Sequence, residues 1–361
     1  MRAHLAPLLR SCRRASAACV LLFIASSLAI VGQDKPKAWD LKAPAPAAQF
    51  TPAKIDKLDE LSCTACHADV VEEWASTGHA LAWVDEQYVD ELKEKKKPES
   101  CWGCHIPKPV MQSSLSARPT PRDDARRFGV ACESCHLGPD GVMLGPRGTP
   151  TSAHASKASD AFTGQGSDAL CIACHKVNIG PVVGVAKDFE QSGQEKRGQS
   201  CVGCHSANVE MRFAKSPIEG GGDKGGEKSG DPTATRGNVP LRKGKSHALQ
   251  TPRDPTFLRR AFELSLHVLD GKSLVTVKNA AGHRVPGLIG RKITFKAEAL
   301  DAQGNVLTKG ELVIEADTYL PVDQSLDLAL SARAAEVHVV GLHDDPRASA
   351  PVTFIDERLK P

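Results

Sequence analysis

The amino-acid sequence predicts a two-part fold: an N-terminal region of mainly short α-helices and loops, and a C-terminal all-β sandwich domain. Three observations predict it. Ten of the 12 cysteines fall into five Cys-x-x-Cys-His motifs between residues 63 and 205. Aromatic residues make up only 4% of a 361-residue chain, fewer than ordinary cores of that size use. Period-two alternation of apolar residues is concentrated in residues 257–361. The length allows two domains, and 41% hydrophobic with 25% charged residues is ordinary for a soluble chain. A net charge of +3, from 46 basic and 43 acidic residues, gives no electrostatic case for nucleic acid as a partner. Twelve cysteines are too few for a small disulfide scaffold and too many for an ordinary enzyme.

At the N-terminus, Arg2, Arg10, Arg13 and Arg14 precede an uncharged run over residues 15–31, centred on residues 20–24. Ser27 and Ala29 put small residues at the two positions a signal peptidase reads. Residues 1–29 therefore read as a secretory signal peptide. The apolar run is about 17 residues, the short edge of a membrane span, so the competing reading is an uncleaved anchor over residues 15–31. Either way the body of the protein lies outside the cytoplasm, periplasmic or otherwise exported. Arg13 and Arg14 match a twin-arginine signal poorly, and Cys12 and Cys19 belong to this segment. Residues 30–54, rich in Pro, Ala and Lys, read as an extended tether.

The five motifs are Cys63-Thr64-Ala65-Cys66-His67, Cys101-Trp102-Gly103-Cys104-His105, Cys132-Glu133-Ser134-Cys135-His136, Cys171-Ile172-Ala173-Cys174-His175 and Cys201-Val202-Gly203-Cys204-His205. Each is the attachment signature of c-type haem. Two thiols three residues apart reach the two vinyl groups on one porphyrin edge, and the adjacent histidine gives its imidazole to the iron. Structural zinc and disulfides also use Cys-x-x-Cys, but neither needs a histidine after every pair. With 13 histidines in 361 residues, five such histidines by chance is on the order of one in ten million. Five covalent haem c groups would also supply the planar apolar bulk that the aromatic count lacks.

Successive first cysteines lie 38, 31, 39 and 30 residues apart, which taken two at a time gives 69, 70 and 69. That is an internal repeat of two motifs. A small-residue-His-Ala element follows only the odd-numbered motifs: Gly78-His79-Ala80, Ala153-His154-Ala155 and Ser246-His247-Ala248. These histidines read as the second axial ligands that five irons require. His283, in Gly282-His283-Arg284-Val285-Pro286, is a fourth candidate in a turn-like context. His267 sits on the polar face of an alternating strand, and His338 and His343 carry no framing motif. Met111, Met143 and Met211 could ligate iron but are equally unframed. The metal ligands are thus His67, His105, His136, His175 and His205, with His79, His154, His247 and His283 opposite them. That count runs one short. The second motif, followed by Ile106-Pro107-Lys108-Pro109, is the expected place for an iron with an open face.

Residues 55–215 hold all five motifs, too little chain for five independent cores, so haems should pack against one another between short helices. Helix-like patterns cover residues 55–61 and 70–83. Residues 216–256 read as a Gly- and Lys-rich linker. Alternation at residues 262–268, 274–277, 293–297, 312–314 and 337–339, with turns at Asp270-Gly271 and Gly304-Asn305, reads as an antiparallel sandwich over 257–361.

The run Leu61-Ser62-Cys63-Thr64-Ala65-Cys66-His67, followed by Trp74-Ala75-Ser76-Thr77-Gly78-His79-Ala80, resembles the start of the cytochrome c-554-like multihaem cytochromes. Gly129-Val130-Ala131-Cys132-Glu133-Ser134-Cys135-His136 continues the likeness. It covers residues 60–210. The sandwich is similar to one appended to some bacterial multihaem cytochromes. The resemblance implies a multihaem cytochrome c fold and electron transfer through closely stacked, mostly bis-histidine haem pairs, a packing also found in hydroxylamine oxidoreductase and pentahaem nitrite reductase. Two functions follow. An electron carrier needs both axial positions of each iron filled and redox partner proteins to dock. A reductase or oxidase of a small nitrogen or sulfur compound needs one open-faced haem. No lysine replaces a motif histidine, and the residues favour the carrier, with no catalytic residue assigned.

Overall fold

The computed structural model describes residues 55–149, 151–178, 184–214, 241–288 and 290–361. The expected signal segment and the whole of the expected tether, residues 1–54, fall outside these residues. Among them no helix is long and apolar enough to cross a membrane.

The described residues of the motif region form seven short α-helices: α1 (Thr64–Ala75), α2 (Glu86–Lys93), α3 (Glu99–His105), α4 (Cys132–His136), α5 (Asp168–His175), α6 (Val185–Ser192) and α7 (Cys201–His205). Five of them carry the motifs. The pattern expected over residues 55–61 is a single 3-10 turn at Leu58–Glu60, and the helix expected over 70–83 instead begins at Thr64, inside the first motif, and stops at Ala75. The thiols and histidine thus share one helical turn, and the chain beyond Ala75 is free to fold back. Local chemistry sets the boundaries. Asp85 caps α2 by accepting from the Tyr88 N–H at 3.1 Å, with Glu86 in the first turn and Lys93 in the last. Ser200 caps α7, accepting from the Gly203 N–H at 2.8 Å. α3, α4, α5 and α7 all end on their histidine, and α1 leaves helical geometry at His67 (φ −110°, ψ 37°).

Two small sheets brace the loops. β1 (Met143–Gly145) pairs in parallel with β2 (Ser156–Ala158), and β3 (Asn208–Met211) pairs antiparallel with β4 (Arg242–Lys245). The second pairing corrects the linker boundary. Residues 241–256 are packed against the motif region rather than spanning a gap, and the remainder of the expected linker, 216–240, lies outside the described residues.

After α8 (Pro255–Arg259), capped by Asp254 on the N–H groups of Thr256 and Phe257, come seven strands: β5 (Phe262–Leu269), β6 (Lys272–Asn279), β7 (Lys292–Leu300), β8 (Val306–Ile314), β9 (Ser325–Leu330), β10 (Glu336–Asp344) and β11 (Val352–Leu359). They form two antiparallel sheets, ordered β5-β6-β9 and β11-β10-β7-β8. Alternation sends Val275 and Val277 of one sheet and Phe295, Ala297, Val337 and Val339 of the other into a common core. Phe295 packs edge-on to Phe262 and Phe354, with ring centres 5.1 and 5.9 Å apart. The all-β sandwich expected over 257–361 is the observed C-terminal architecture.

Candidate haem-binding site

Four of the five motif histidines are held in orientation by a carbonyl outside their own helix. The Nδ1 atoms of His67, His105, His136 and His205 donate to the carbonyls of Phe213, Ala82, Leu144 and Gln250 at 2.5, 2.5, 2.7 and 2.7 Å. A carbonyl can only accept, so the proton sits on Nδ1 and the Nε2 lone pair is left for a metal. The ten motif cysteines are all free thiols, as thioether attachment requires. They also meet across motifs: Cys63 with Cys132, Cys104 with Cys174, and Cys171 with Cys201 lie within hydrogen-bonding reach. The attachment points therefore run from motif one to three and from four to five, with motif two beside four. Asp168, buried on α5, ties motif four to motif five by accepting from the Cys201 and Val202 N–H groups at 2.9 and 3.4 Å.

Four motif histidines face a second imidazole. The ring centres of His67 and His154 are 6.3 Å apart, His79 and His175 6.1 Å, His136 and His247 6.2 Å, and His205 and His283 6.2 Å. A metal bonded to two imidazole nitrogens at the usual distance of about 2.0 Å holds their ring centres about 6 Å apart. The residues thus fit a haem iron between each pair. Among the described residues no group of three or more His, Cys, Asp or Glu is placed to hold a metal ion. Burial pushes His79 down to about 4, with His175 adding to the shift, and burial likewise takes His205 and His247 to about 4. These rings are neutral at pH 7, the state in which imidazole ligates.

Each of the four distal candidates faces a motif histidine, and His79, His154 and His247 face one other than that of the motif they follow. His79 follows motif one and faces the histidine of motif four. His154 follows motif three and faces motif one, and His247 follows motif five and faces motif three. The crossing has visible supports. Val130 donates to the His79 carbonyl at 2.8 Å, and Gly129 lies so close to that carbonyl that a Cβ there would come within 2.3 Å of its oxygen. The Gly-Val pair ahead of motif three is thus a seat for the loop carrying His79. The His247 N–H donates to the Glu73 carboxylate on α1 at 2.7 Å. His283 comes from the sandwich, between β6 and β7, and its Nδ1 donates to the Arg284 carbonyl at 2.8 Å. The other sandwich histidines stay away: His267 is exposed and bonded to Ser265, His338 pairs with Asp356 at 2.7 Å, and His343 is buried in β10.

His105 of the second motif differs. Among the described residues no histidine ring opposes it; the Tyr88 ring stacks on its face, 3.8 Å away and 10° from parallel. That contact covers the face of the His105 ring, whereas the Nε2 lone pair lies in the ring plane, so Tyr88 fills no ligand position there. The Tyr88 hydroxyl is buried without a hydrogen-bond partner, and Trp83 and Trp102 complete an aromatic cluster under the Arg126 guanidinium. Sequence reasoning missed Tyr88, Glu73 and Asp168. Only Tyr88 carried a signal, as one of two tyrosines in the chain.

Helices that carry haem-attachment motifs and end in or contain the motif histidines, joined to an all-β sandwich, give this chain the fold and the attachment residues of multihaem c-type cytochromes, a class that binds haem c and works in electron transfer with redox partner proteins. Residues 62–137 match the family of cytochrome c554 and c-prime. The fold is similar to that of a penta-haem cytochrome c552 from Thermochromatium tepidum, with a TM-score of 0.55 and 16% identity over 88% of this chain and 100% of that one. No curated protein matches the chain.

Proposed function

We propose that this chain is an exported pentahaem c-type cytochrome that passes electrons through closely packed haems, four of them bis-histidine. The single observation that carries the reading is the set of four imidazole pairs at 6.1–6.3 Å. The haems supply one-electron chemistry, and the protein's residues retain and orient them. Cys63, Cys66, Cys101, Cys104, Cys132, Cys135, Cys171, Cys174, Cys201 and Cys204 hold the haems covalently. His67 with His154, His79 with His175, His136 with His247 and His205 with His283 would each hold an iron between two imidazoles, a ligand set that need not change when the iron gains or loses an electron. The cross-motif thiol contacts support short distances between neighbouring haem edges. Export is supported by the basic and apolar N-terminal segment and by the attachment of c-type haem outside the cytoplasm. An uncleaved segment at 15–31 would instead attach the protein to a membrane. Intact mass and an EPR spectrum of the oxidised protein test the proposal together. Five haem masses and four low-spin bis-imidazole irons are expected; fewer adducts on homogeneous protein, or mostly high-spin iron, would overturn it.

A second reading, a reductase or oxidase acting on a small nitrogen or sulfur compound, is favoured by His105 alone, the one motif histidine that faces no imidazole among the described residues. It predicts that nitric oxide binds one haem per chain. Uptake at none would leave the carrier by itself.

A further inference from the structure

We propose that Asp188 and Arg284 form a clasp that places the sandwich's His283 on the iron held by His205, so that docking of the sandwich sets the ligation of the fifth haem. The proposal rests on the reading that His283 is that iron's second ligand. His283 sits on the loop between β6 and β7, and its ring lies 9° from parallel with that of His205. The sandwich braces this loop from behind. The Asn279 side-chain amide donates to the carbonyls of His283 and Leu320 at 3.0 and 2.9 Å, and Val285 and Leu320 exchange both backbone hydrogen bonds.

From the front, α6 of the motif region grips the next residue. The Arg284 guanidinium pairs with the Asp188 carboxylate through both Nε and Nη2, the latter at 2.8 Å, and its backbone N–H also reaches Asp188. The guanidinium lies 3.9 Å from the Tyr319 ring centre, which fixes its plane. The two side chains keep only 21% and 15% of their surface exposed, so this is a largely desolvated, bidentate pair. Removing one charge would strand the other. Phe189, the neighbour of Asp188, presses on Gly282, where a Cβ would come within 2.8 Å of its ring.

Arg284 also owns the carbonyl that accepts from His283 Nδ1. Any shift of the clasp therefore moves the group that orients the ligand. Two further ion pairs, Asp85 with Arg347 and Arg197 with Asp323, join the sandwich to the motif region elsewhere, so loss of the clasp should act locally. Asp188, Arg284 and Phe189 are positioning residues in this scheme.

The test uses the full-length haem-loaded protein. Cyanide is titrated into wild type, D188N, D188E, G282A and H283A, and bound haems are counted by optical and EPR spectra. H283A should gain one high-spin, cyanide-binding haem beyond any that wild type shows. D188N should bind cyanide at that same haem about tenfold more tightly than wild type, a shift of about 1.4 kcal/mol. D188E should keep wild-type behaviour. G282A, which leaves every charge in place and wedges Phe189, should resemble D188N and decides the matter if D188N fails to fold. Wild-type titrations for both D188N and G282A, with the haem opened in H283A, would overturn the clasp. An unchanged H283A would overturn the ligation on which it stands.

Discussion

Replacing His247 with alanine isolates what one distal imidazole does. The structure shows why the chain around it should survive. The 246–248 segment is held by the His247 N–H on Glu73 at 2.7 Å, by the Ser246 N–H on the Ala207 carbonyl at 2.9 Å, and by the Ser206 hydroxyl on the Ser246 carbonyl at 2.6 Å. None of these uses the imidazole. The partner ring is equally independent: His136 bonds to the Leu144 carbonyl and stacks on Phe162 at 4.7 Å. Losing one buried ring costs about 1–3 kcal/mol, inside the roughly 5–15 kcal/mol that holds a domain together. Cys132 and Cys135 are untouched, so the haem count stays the same. With an iron between each of the four imidazole pairs, as proposed, losing one pair should remove a quarter of the low-spin signal and create one equivalent of high-spin iron. Integrated EPR of the oxidised variant measures both, and added imidazole should restore the missing quarter. A folded His247→Ala protein with an unchanged spectrum would refute the ligand assignment. His338→Ala, at an exposed pair with Asp356, is the control that should change nothing.

Three further outcomes follow from particular contacts. Phe295→Ala removes a fully buried ring wedged between Phe262 and Phe354 and should lower stability by about 3–5 kcal/mol in denaturant melts, with the haem count intact. Asp168→Ala removes the acceptor for the first N–H groups of α7 and should cost about 1–2 kcal/mol. Asp168→Asn keeps an oxygen there and should cost less; equal losses in thermal melts would disprove the capping role. Acid should act through Asp345. Burial pushes its carboxyl up, but Arg291 at 2.7 Å and the Arg347 N–H outweigh that and hold it below the ordinary 3.8. A lowered folded value means the unfolded chain binds the proton more tightly. The pair's contribution is therefore present above the ordinary carboxylate value and is lost as pH falls through the folded one. Melting temperatures of wild type and Asp345→Asn should differ at pH 6 and converge in strong acid; a constant gap at every pH would contradict the pairing.

Covalent chemistry was legible in the residues because it is local. Two thiols and a histidine must lie on one turn of chain to meet one porphyrin, so the motifs appear whole in the sequence. Alternation announced β5, β6, β7, β8 and β10 for the same reason, since each strand's pattern depends only on its own residues facing one core. β9 and β11, with no such pattern recognised, emerged only as partners of β6 and β10. His79, His154 and His247 could be nominated from the element that follows alternate motifs and His283 from its turn-like context, but which motif histidine each would face could not. Axial ligation joins residues far apart in the chain, and nothing in the order of residues says that His79 crosses to His175 or that a sandwich loop reaches His205. Those pairings depend on where β3 and β4 close, on the seat that Gly129 gives the His79 loop, and on α6 meeting Gly282. The short distal count was visible in the sequence; that Tyr88 stacks on His105 was decided by packing alone, because α2 carries it there from outside the motif.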